Sequence, residues 1–238
     1  MKRGSLAGLL VIALGAGSLQ AADEVVLSNL GTDQNAFKRL SEDLASATSY
    51  KGLTPAEPLG ITGFDIGIEV TDTSLQYAST FNKACNSCGL DRLTIPKLHL
   101  HKGLPMGFDV GLMYASTSNT NVTLTGVELR YANIEGGMAK PAVATRLTWS
   151  QLDGVDQLSL ESMGVEVMVS KGIAMFTPYG GIGQNWVSSE ATGFTTEEFT
   201  QSKYFVGVNI NTGFINFDFE MDDTGGAKTI GAKVGFRF

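Results

Sequence analysis

The sequence is poor in the residues from which most catalytic and metal sites are built. It has two cysteines, two histidines and six prolines among 238 residues. No phosphate-binding loop and no nucleophile motif occurs, and Gly180-Gly-Ile-Gly183 has the wrong spacing for a dinucleotide fingerprint, so it is better explained as part of a strand. We therefore expect no catalytic residue, no cofactor and no metal centre.

Clusters of lysine and arginine are also missing. The formal net charge is −7, and removal of Lys2 and Arg3 with a leader would change it to −9. A polyanion needs a basic patch to bind, so nucleic acid is not expected as a partner.

Only the start of the chain has the composition of a targeting segment. Lys2 and Arg3 are followed by the apolar run 6–14 and by small, weakly polar residues up to Ala22. The apolar run is shorter than the ~20 residues of a membrane-spanning helix, and no later run is long enough either. We predict a signal peptide over 1–22, cut after Ala21 or Ala22, with a retained membrane helix as the alternative.

The rest of the chain alternates between apolar and polar residues, as strands do. At the C terminus, Ile230, Ala232, Val234, Phe236 and Phe238 alternate with Gly231, Lys233, Gly235 and Arg237. Nine further segments begin near Phe64, Leu98, Met106, Val127, Val143, Met163, Ile173, Tyr204 and Ile215. About ten residues suffice for a tilted strand to cross a bilayer. In the glycine-rich segment Ile173 to Trp186, the sequence does not show which set of alternate residues faces inward.

Connection lengths separate a membrane barrel from a soluble sandwich. The connections 102–106, 132–140, 171–172 and 211–214 are mostly short, whereas 71–92 and 187–202 are long. Short periplasmic turns and longer external loops produce this alternation, while a layered sandwich does not. We predict an all-β fold over 59–238: an antiparallel transmembrane β-barrel of about ten strands, surrounded by outer-membrane lipid.

The region 23–58 differs from the barrel. Phe37, Leu40, Leu44 and Ala47 recur at helical spacing, with Asp33 as a cap and with Lys38, Glu42 and Asp43 on the other face. The pattern predicts a short amphipathic helix from about Gln34 to Thr48, followed by a linker. Its apolar stripe has three candidate partners: the barrel lumen, the periplasmic rim and the membrane surface.

Four motifs resemble a known family. They are Glu57-Pro-Leu-Gly-Ile-Thr-Gly-Phe-Asp-Ile-Gly-Ile-Glu-Val70, Pro96-Lys-Leu-His-Leu-His-Lys-Gly-Leu-Pro105, Thr177-Pro-Tyr-Gly-Gly-Ile-Gly183 and Gly235-Phe-Arg-Phe238. Together they resemble proteobacterial outer-membrane β-barrel proteins of unestablished activity. The resemblance implies the barrel fold and the outer membrane, and it implies no catalytic residue. The terminal Phe238 resembles the barrel C-terminal signal, which implies the outer-membrane barrel insertion machinery as a transient partner.

Strand parity places a polar cluster in the lumen. Its members are His99, His101, Asp65, Glu69, Asp109, Glu128, Glu166, Asp218, Glu220, Arg130, Arg146, Lys233 and Arg237. A turn that pairs Lys102 with Met106 would put His99 opposite Asp109 and His101 opposite Gly107. The two histidines either fill the lumen or bind a metal or a proton, and we favour filling because no further histidine or cysteine can complete a tight site.

The two cysteines form the motif Cys85-Asn-Ser-Cys88 in the long first loop. In an oxidising compartment this spacing predicts a local disulfide, while a redox-active pair or a zinc site needs partners that the sequence does not offer nearby.

Three functions remain open from the sequence. The first is a non-enzymatic barrel, either structural or a narrow acidic-lined pore, since ten strands leave little free space inside. The second is a hydrolase acting on lipid or peptide, with the lumen carboxylates and His99 as acid-base groups. The third is a surface-recognition protein acting through the segments Thr71 to Arg92 and Val187 to Ser202.

Overall fold

The structure is a computed structural model that describes residues 25–116, 122–155 and 158–238. The expected signal peptide, 1–22, lies outside the described residues.

Ten antiparallel strands form one closed barrel, which confirms the predicted fold. Each strand pairs with its neighbours in chain order, and β1 closes the cylinder by pairing with β10. The strands are β1 Phe64–Ser74, β2 Arg92–Gly103, β3 Phe108–Ser116, β4 Thr123–Ile134, β5 Ala142–Val155, β6 Leu158–Ser170, β7 Phe176–Ala191, β8 Glu197–Asn211, β9 Ile215–Thr224 and β10 Ala227–Arg237. Among the described residues, no helix has the length and apolar character needed to cross a membrane.

The two ends of the cylinder differ. We call one the turn end: β1 starts there, β10 finishes there, and Phe64 N donates to Phe238 O over 2.8 Å. The other, the loop end, carries the connection 75–91 with helix α2, Ala78–Ala84. The expectation of a long loop over 187–202 is wrong, because β7 runs to Ala191 and β8 begins at Glu197. Outward positions there become polar, so the apolar alternation stops although strand pairing continues.

The outer wall of the barrel is apolar and its lining is polar. Outward side chains such as Ile68, Leu147 and Val167 are about half exposed, whereas the inward neighbours Glu69 and Arg146 are fully buried. The parity of β7, left open by the sequence, follows the same rule: Ile182 and Trp186 are exposed and Tyr179 is buried. This arrangement is the reverse of a soluble protein and is that of a barrel surrounded by lipid.

Helix α1, Gln34–Thr48, occupies the lumen. Asp33 caps it by accepting a hydrogen bond from Ala36 N over 3.1 Å, as the sequence predicts. The helix contacts β1, β5, β6, β8 and β10, and strands on all sides of a closed barrel can be reached only from within. Of the three positions open from the sequence, the structure therefore selects the lumen.

The lining near the loop end matches the apolar stripe of α1. Many inward residues of β2 to β7 are apolar at this level, and they form one cluster with the stripe of the helix. Its members include Phe37, Leu40 and Leu44 from the helix and Leu93, Ile95, Leu124, Leu152, Leu160 and Val187 from the wall. Burial of both apolar surfaces against each other stabilises the helix inside the barrel.

Candidate functional site: the plugged lumen

Residues 25–59, which we call the plug segment, thread the lumen from the loop end to the turn end. Val26 N donates to Ala84 O in the first loop over 3.0 Å, and Leu59 N donates to Asp109 Oδ1 near the start of β3 over 3.1 Å. The described chain thus begins at the loop end, passes down through the barrel and then turns back into β1.

Polar side chains fasten α1 to the wall. The Ser41 and Ser189 hydroxyls lie 2.8 Å apart, and the Ser46 hydroxyl donates to Thr224 O over 2.9 Å. Gln201 Nε2 donates to Ser46 Oγ over 3.0 Å. These small hydroxyls let the helix lie close to β7, β8 and β9 while satisfying polar groups on both sides.

Asp43 is buried, whereas the sequence placed it on the polar face with Lys38 and Glu42. Its carboxylate accepts hydrogen bonds from Gln76 N over 2.8 Å and from Tyr77 N over 2.9 Å, just beyond β1. Burial raises the pKa of Asp43 to about 6, against the opposing effect of these two backbone donors, and the charge of Glu42 adds to the rise. Asp43 therefore couples the docking of α1 to the first loop and to pH.

In the middle of the lumen, the plug contacts charged wall residues directly. Lys51 Nζ lies 2.9 Å from Asp222 Oδ1, and Lys203 Nζ donates to Tyr50 O over 2.9 Å. Gly52 lies so close to Arg146 that a Cβ there would be 2.0 Å from the guanidinium. At Lys203, the plug backbone thus takes the place of water as a hydrogen-bond partner.

Near the turn end, the linker continues the same pattern. Arg130 donates to Pro55 O over 2.8 Å and also to the Thr54 hydroxyl. Ala56 N donates to the Ser170 hydroxyl over 3.1 Å. Contacts of this kind reach β3, β4, β6, β8 and β9, so the plug is bonded around most of the circumference.

The buried wall charges form a network that the sequence predicts only in part. Every member of the predicted polar cluster lies on the inner face, and Arg237 is the one that retains partial exposure. The structure adds Lys97, Lys203 and Asp222. Among the described strands the lining then has eight carboxylates and six lysine or arginine side chains. The additions directly neighbour the outward residues Leu98, Tyr204 and Met221, so the same parity would have placed them inward had each predicted segment been extended by one residue.

Most of these charges are paired. Arg146 and Lys203 share Glu166, with Lys203 Nζ 2.8 Å from Oε1. Arg130 pairs with Asp109 at 2.8 Å. Near the C terminus Asp65 binds Arg237 at 2.6 Å and Lys233 at 3.4 Å, and Lys233 also lies 3.3 Å from Asp218.

Two carboxylates are held less directly. Glu128 forms long ion pairs, with Arg146 at 3.6 Å and with Arg130 and His101 at 3.9 Å, and makes no hydrogen bond among the described residues. Glu220 forms no ion pair in the described part of the chain and has Tyr179 as its polar neighbour.

The histidines lie at the junction between plug and wall. His99 Nε2 is 2.8 Å from Glu69 Oε2, the two imidazole rings are stacked with centroids 5.6 Å apart, and the Tyr50 hydroxyl lies 3.3 Å from His101 Nε2. Both side chains are fully buried.

The predicted partners of the histidines are wrong. His99 pairs with Met113 and His101 with Gly111, because β2 continues to Gly103, which pairs with Asp109. The Pro105–Gly107 turn adds residues that the assumed register lacked. Tyr50 fills the space above Gly111, where a Cβ would lie 2.6 Å from its hydroxyl.

No group of three or more histidine, cysteine or acidic side chains suited to a metal occurs among the described residues. In the first loop, Cys85 and Cys88 are joined by a disulfide. The loop holds the start of the plug, since Asn29 Nδ2 also donates to Ala84 O over 2.9 Å.

Comparison with known proteins returns distant structural similarities. Neisserial surface protein A is 8% identical, with coverage of 74% of this chain and 95% of that one and a TM-score of 0.32. The KdgM porin is 9% identical, with coverage of 73% and 99% and a TM-score of 0.38. The translocator domain of the autotransporter NalP from Neisseria meningitidis is 10% identical, with coverage of 92% and 99% and a TM-score of 0.37.

The sequence matches no family model and no curated protein. Structural scores this low support no inference about function, so the assignment of a closed antiparallel barrel rests on the strand pairing of this chain itself.

Proposed function

We propose that this chain is a non-enzymatic integral barrel of the bacterial outer membrane that forms a narrow ion pathway, closed at rest by its own plug segment. The apolar outer wall supports the membrane location, because its exposed side chains would otherwise face water. Short turns with both barrel termini suit the periplasmic side, so the loop end faces outward.

The observation that carries the closed state is the bonding of residues 25–59 around the circumference. The apolar cluster of α1 closes the loop half, and the contacts of Tyr50, Lys51 and Thr54 close the remainder. An ion can pass only when part of this segment moves.

The composition of the lining supports a preference for cations. The wall has eight carboxylates and six lysine or arginine side chains, so the lining carries an excess of acidic groups. This excess is smaller than that of the predicted cluster alone. Burial of His99 and His101 behind Tyr50 supports a non-enzymatic role over the hydrolase, because a lipid or peptide would have to displace the plug before reaching them.

A reversible lock tests the proposal. Ser41→Cys with Ser189→Cys would place two thiols where the hydroxyls are 2.8 Å apart, on the plug and on β7. In planar bilayers the oxidised double variant should give no conductance, and reductant should restore voltage-dependent openings that pass cations in preference to anions. The wild type with the same reductant controls for reduction of the Cys85–Cys88 disulfide.

Two results would contradict the proposal. A locked variant that conducts like the wild type would show that ions do not need the plug to move. Silence of both the reduced variant and the wild type at every voltage would leave a purely structural barrel.

A further inference from the structure

The turn end of the barrel exposes a set of large apolar side chains. They occur in the segment leading into β1, in the four turns β2–β3, β4–β5, β6–β7 and β8–β9, and at the C terminus. The residues are Ile61, Met106, Met138, Ile173, Met175, Phe214 and Phe238. We call them the apolar turn ring. Met138 is completely exposed and Met106 is 83% exposed, so these residues do not serve as core.

The loop end has no counterpart among the described residues. There, Val26 is the one large apolar side chain that is substantially exposed. Turns normally carry polar residues because they meet water. The ring is therefore a property of one end of the molecule rather than of its connections in general.

Basic side chains accompany the ring. Lys102 Nζ lies 4.3 Å from the centre of the Phe64 ring and donates to Gly63 O over 3.3 Å. Lys171 Nζ donates to the carbonyls of Gly137 and Met138, each over 2.7 Å, and Lys140 is exposed in the same turn. Lys102 and Lys171 fix the turns that present the apolar side chains, and all three lysines keep positive charge at the same level.

Apolar tips with adjacent lysines complement a surface of anionic lipid. Aliphatic and aromatic side chains enter the boundary between headgroups and acyl chains, while ammonium groups bind the lipid phosphates. The distribution of the ring favours lipid over a protein partner. Its members are spread around the whole circumference of the barrel. The lipid leaflet that surrounds the barrel can therefore contact all of them at once.

We propose that the turn end is a lipid-binding surface, in which the apolar turn ring enters the periplasmic leaflet, Lys102 and Lys140 bind anionic phospholipid headgroups, and Lys171 adds positive charge beside them. The inference depends on the membrane location proposed above. It assigns the turns themselves, and not only the strands, to the lipid interface.

Site-directed fluorescence tests it in the full-length protein refolded into phosphatidylcholine vesicles with or without phosphatidylglycerol. An environment-sensitive label is attached to Met138→Cys in the ring, to Val165→Cys on the outer wall of β6 and to Thr192→Cys at the loop end, without reductant. The unsubstituted protein gives the background labelling. Quenching by nitroxide lipids reports lipid contact, and quenching by aqueous iodide reports water.

We expect nitroxide lipids to quench the label at position 138 and at position 165, and iodide to quench mainly position 192. Phosphatidylglycerol should increase lipid quenching at 138, and Lys102→Gln with Lys140→Gln and Lys171→Gln should abolish the increase. Lys83→Gln, at the loop end, is the matched control and should leave it unchanged.

The outcomes separate this inference from the membrane location. If iodide quenches the label at 138 while lipid still quenches the label at 165, the apolar turn ring does not contact lipid. The ring would then be accessible to a periplasmic protein. No effect of phosphatidylglycerol would overturn the headgroup contact. Loss of lipid quenching at 165 would instead overturn the membrane barrel itself.

Discussion

Lys51 of the plug and Asp222 of β9 form an ion pair of 2.9 Å in which both side chains are shielded from solvent. A buried pair is costly to break on one side, because the remaining charge is left without an opposite charge. Plug and wall are thus chemically interdependent at this point, and the pair offers a direct way to loosen the plug.

Lys51→Met or Asp222→Asn alone should weaken docking of the plug by about 3–5 kcal/mol. The double variant should recover part of the loss, because no unpaired charge then remains. Thermal unfolding in detergent gives the coupling energy as a double-mutant cycle, and bilayer recording should show more frequent openings for the single variants. Strictly additive effects of the two substitutions would contradict the buried pair.

Gly52→Ala tests the close contact of the plug with the wall. The added methyl would overlap the Arg146 guanidinium and lie 2.9 Å from Glu128 Oε2. We expect a cost of about 1–3 kcal/mol, as for other overpacked sites, expressed as protease sensitivity of residues 25–59 while the barrel stays folded. Lys38→Ala, on the exposed face of α1, is the control and should behave like the wild type. An unchanged proteolysis pattern for Gly52→Ala would argue against the packed plug.

The barrel could be predicted from the sequence because most outward residues between Phe64 and Phe238 are apolar and their neighbours face inward. Period-two alternation therefore reports both the strands and their number, although Gln184, outward between Ile182 and Trp186, is a polar exception. The helix Gln34–Thr48 was equally visible, because its stripe and its cap are local signals.

Features that depend on partners distant in sequence could not be predicted. The position of α1 depends on Leu124, Leu152 and Leu160, inward apolar residues that a polar-lumen rule does not anticipate. Strand parity was the signal that could have revealed this position. It places apolar residues on the inner face at one end of the barrel, which predicts an apolar segment inside the lumen there. The partners of His99 depended on the length of a single turn, because a longer turn shifts every cross-strand pair. Here the shift is four residues, from Asp109 to Met113 opposite His99.

Docking of α1 should depend on pH through Asp43. Burial raises its pKa from 3.8 to about 6, so the docked helix binds the proton more tightly than the undocked one. Docking is therefore favoured below pH 4 and loses this contribution as the pH rises through about 6. The carboxylate faces Gln76 N and Tyr77 N, with Glu42 as the nearby charge that adds to the rise. Hydrogen exchange of the α1 amides should accelerate between pH 4 and 7 beyond the intrinsic chemical rate, and Asp43→Asn should remove that excess. Slower corrected exchange at the higher pH would contradict the assignment.

The start of the plug at the loop end makes a topological prediction. Val26 is hydrogen-bonded to Ala84 in the first loop, so the described chain enters the barrel at the loop end, which the proposed function places on the outward side. An epitope inserted directly before Val25 should be detected by antibody on intact cells. The same epitope after Gly137, in a turn of the opposite end, should be detected only after the outer membrane is permeabilised. Protection of the N-terminal epitope on intact cells would mean that the plug enters from the periplasmic side.

Substitution of the two histidines tests whether the barrel is an enzyme. His99 and His101 are fully buried, and Lys97 lies 3.0 Å from the same Glu69 that His99 contacts, so His99→Asn with His101→Asn leaves that carboxylate paired. Loss of the stacked rings and of the contact with Tyr50 should lower stability by about 1–3 kcal/mol, with insertion into the membrane intact. A general base behaves differently, because its removal lowers a rate by about 10²–10⁴. Vesicles carrying the wild type and the double variant should therefore be screened side by side for lipase, deacylase and protease activity. We expect no hydrolysis that depends on the two histidines; an activity that disappears in the folded double variant would establish an enzyme, and it would require the plug to open far enough to admit its substrate.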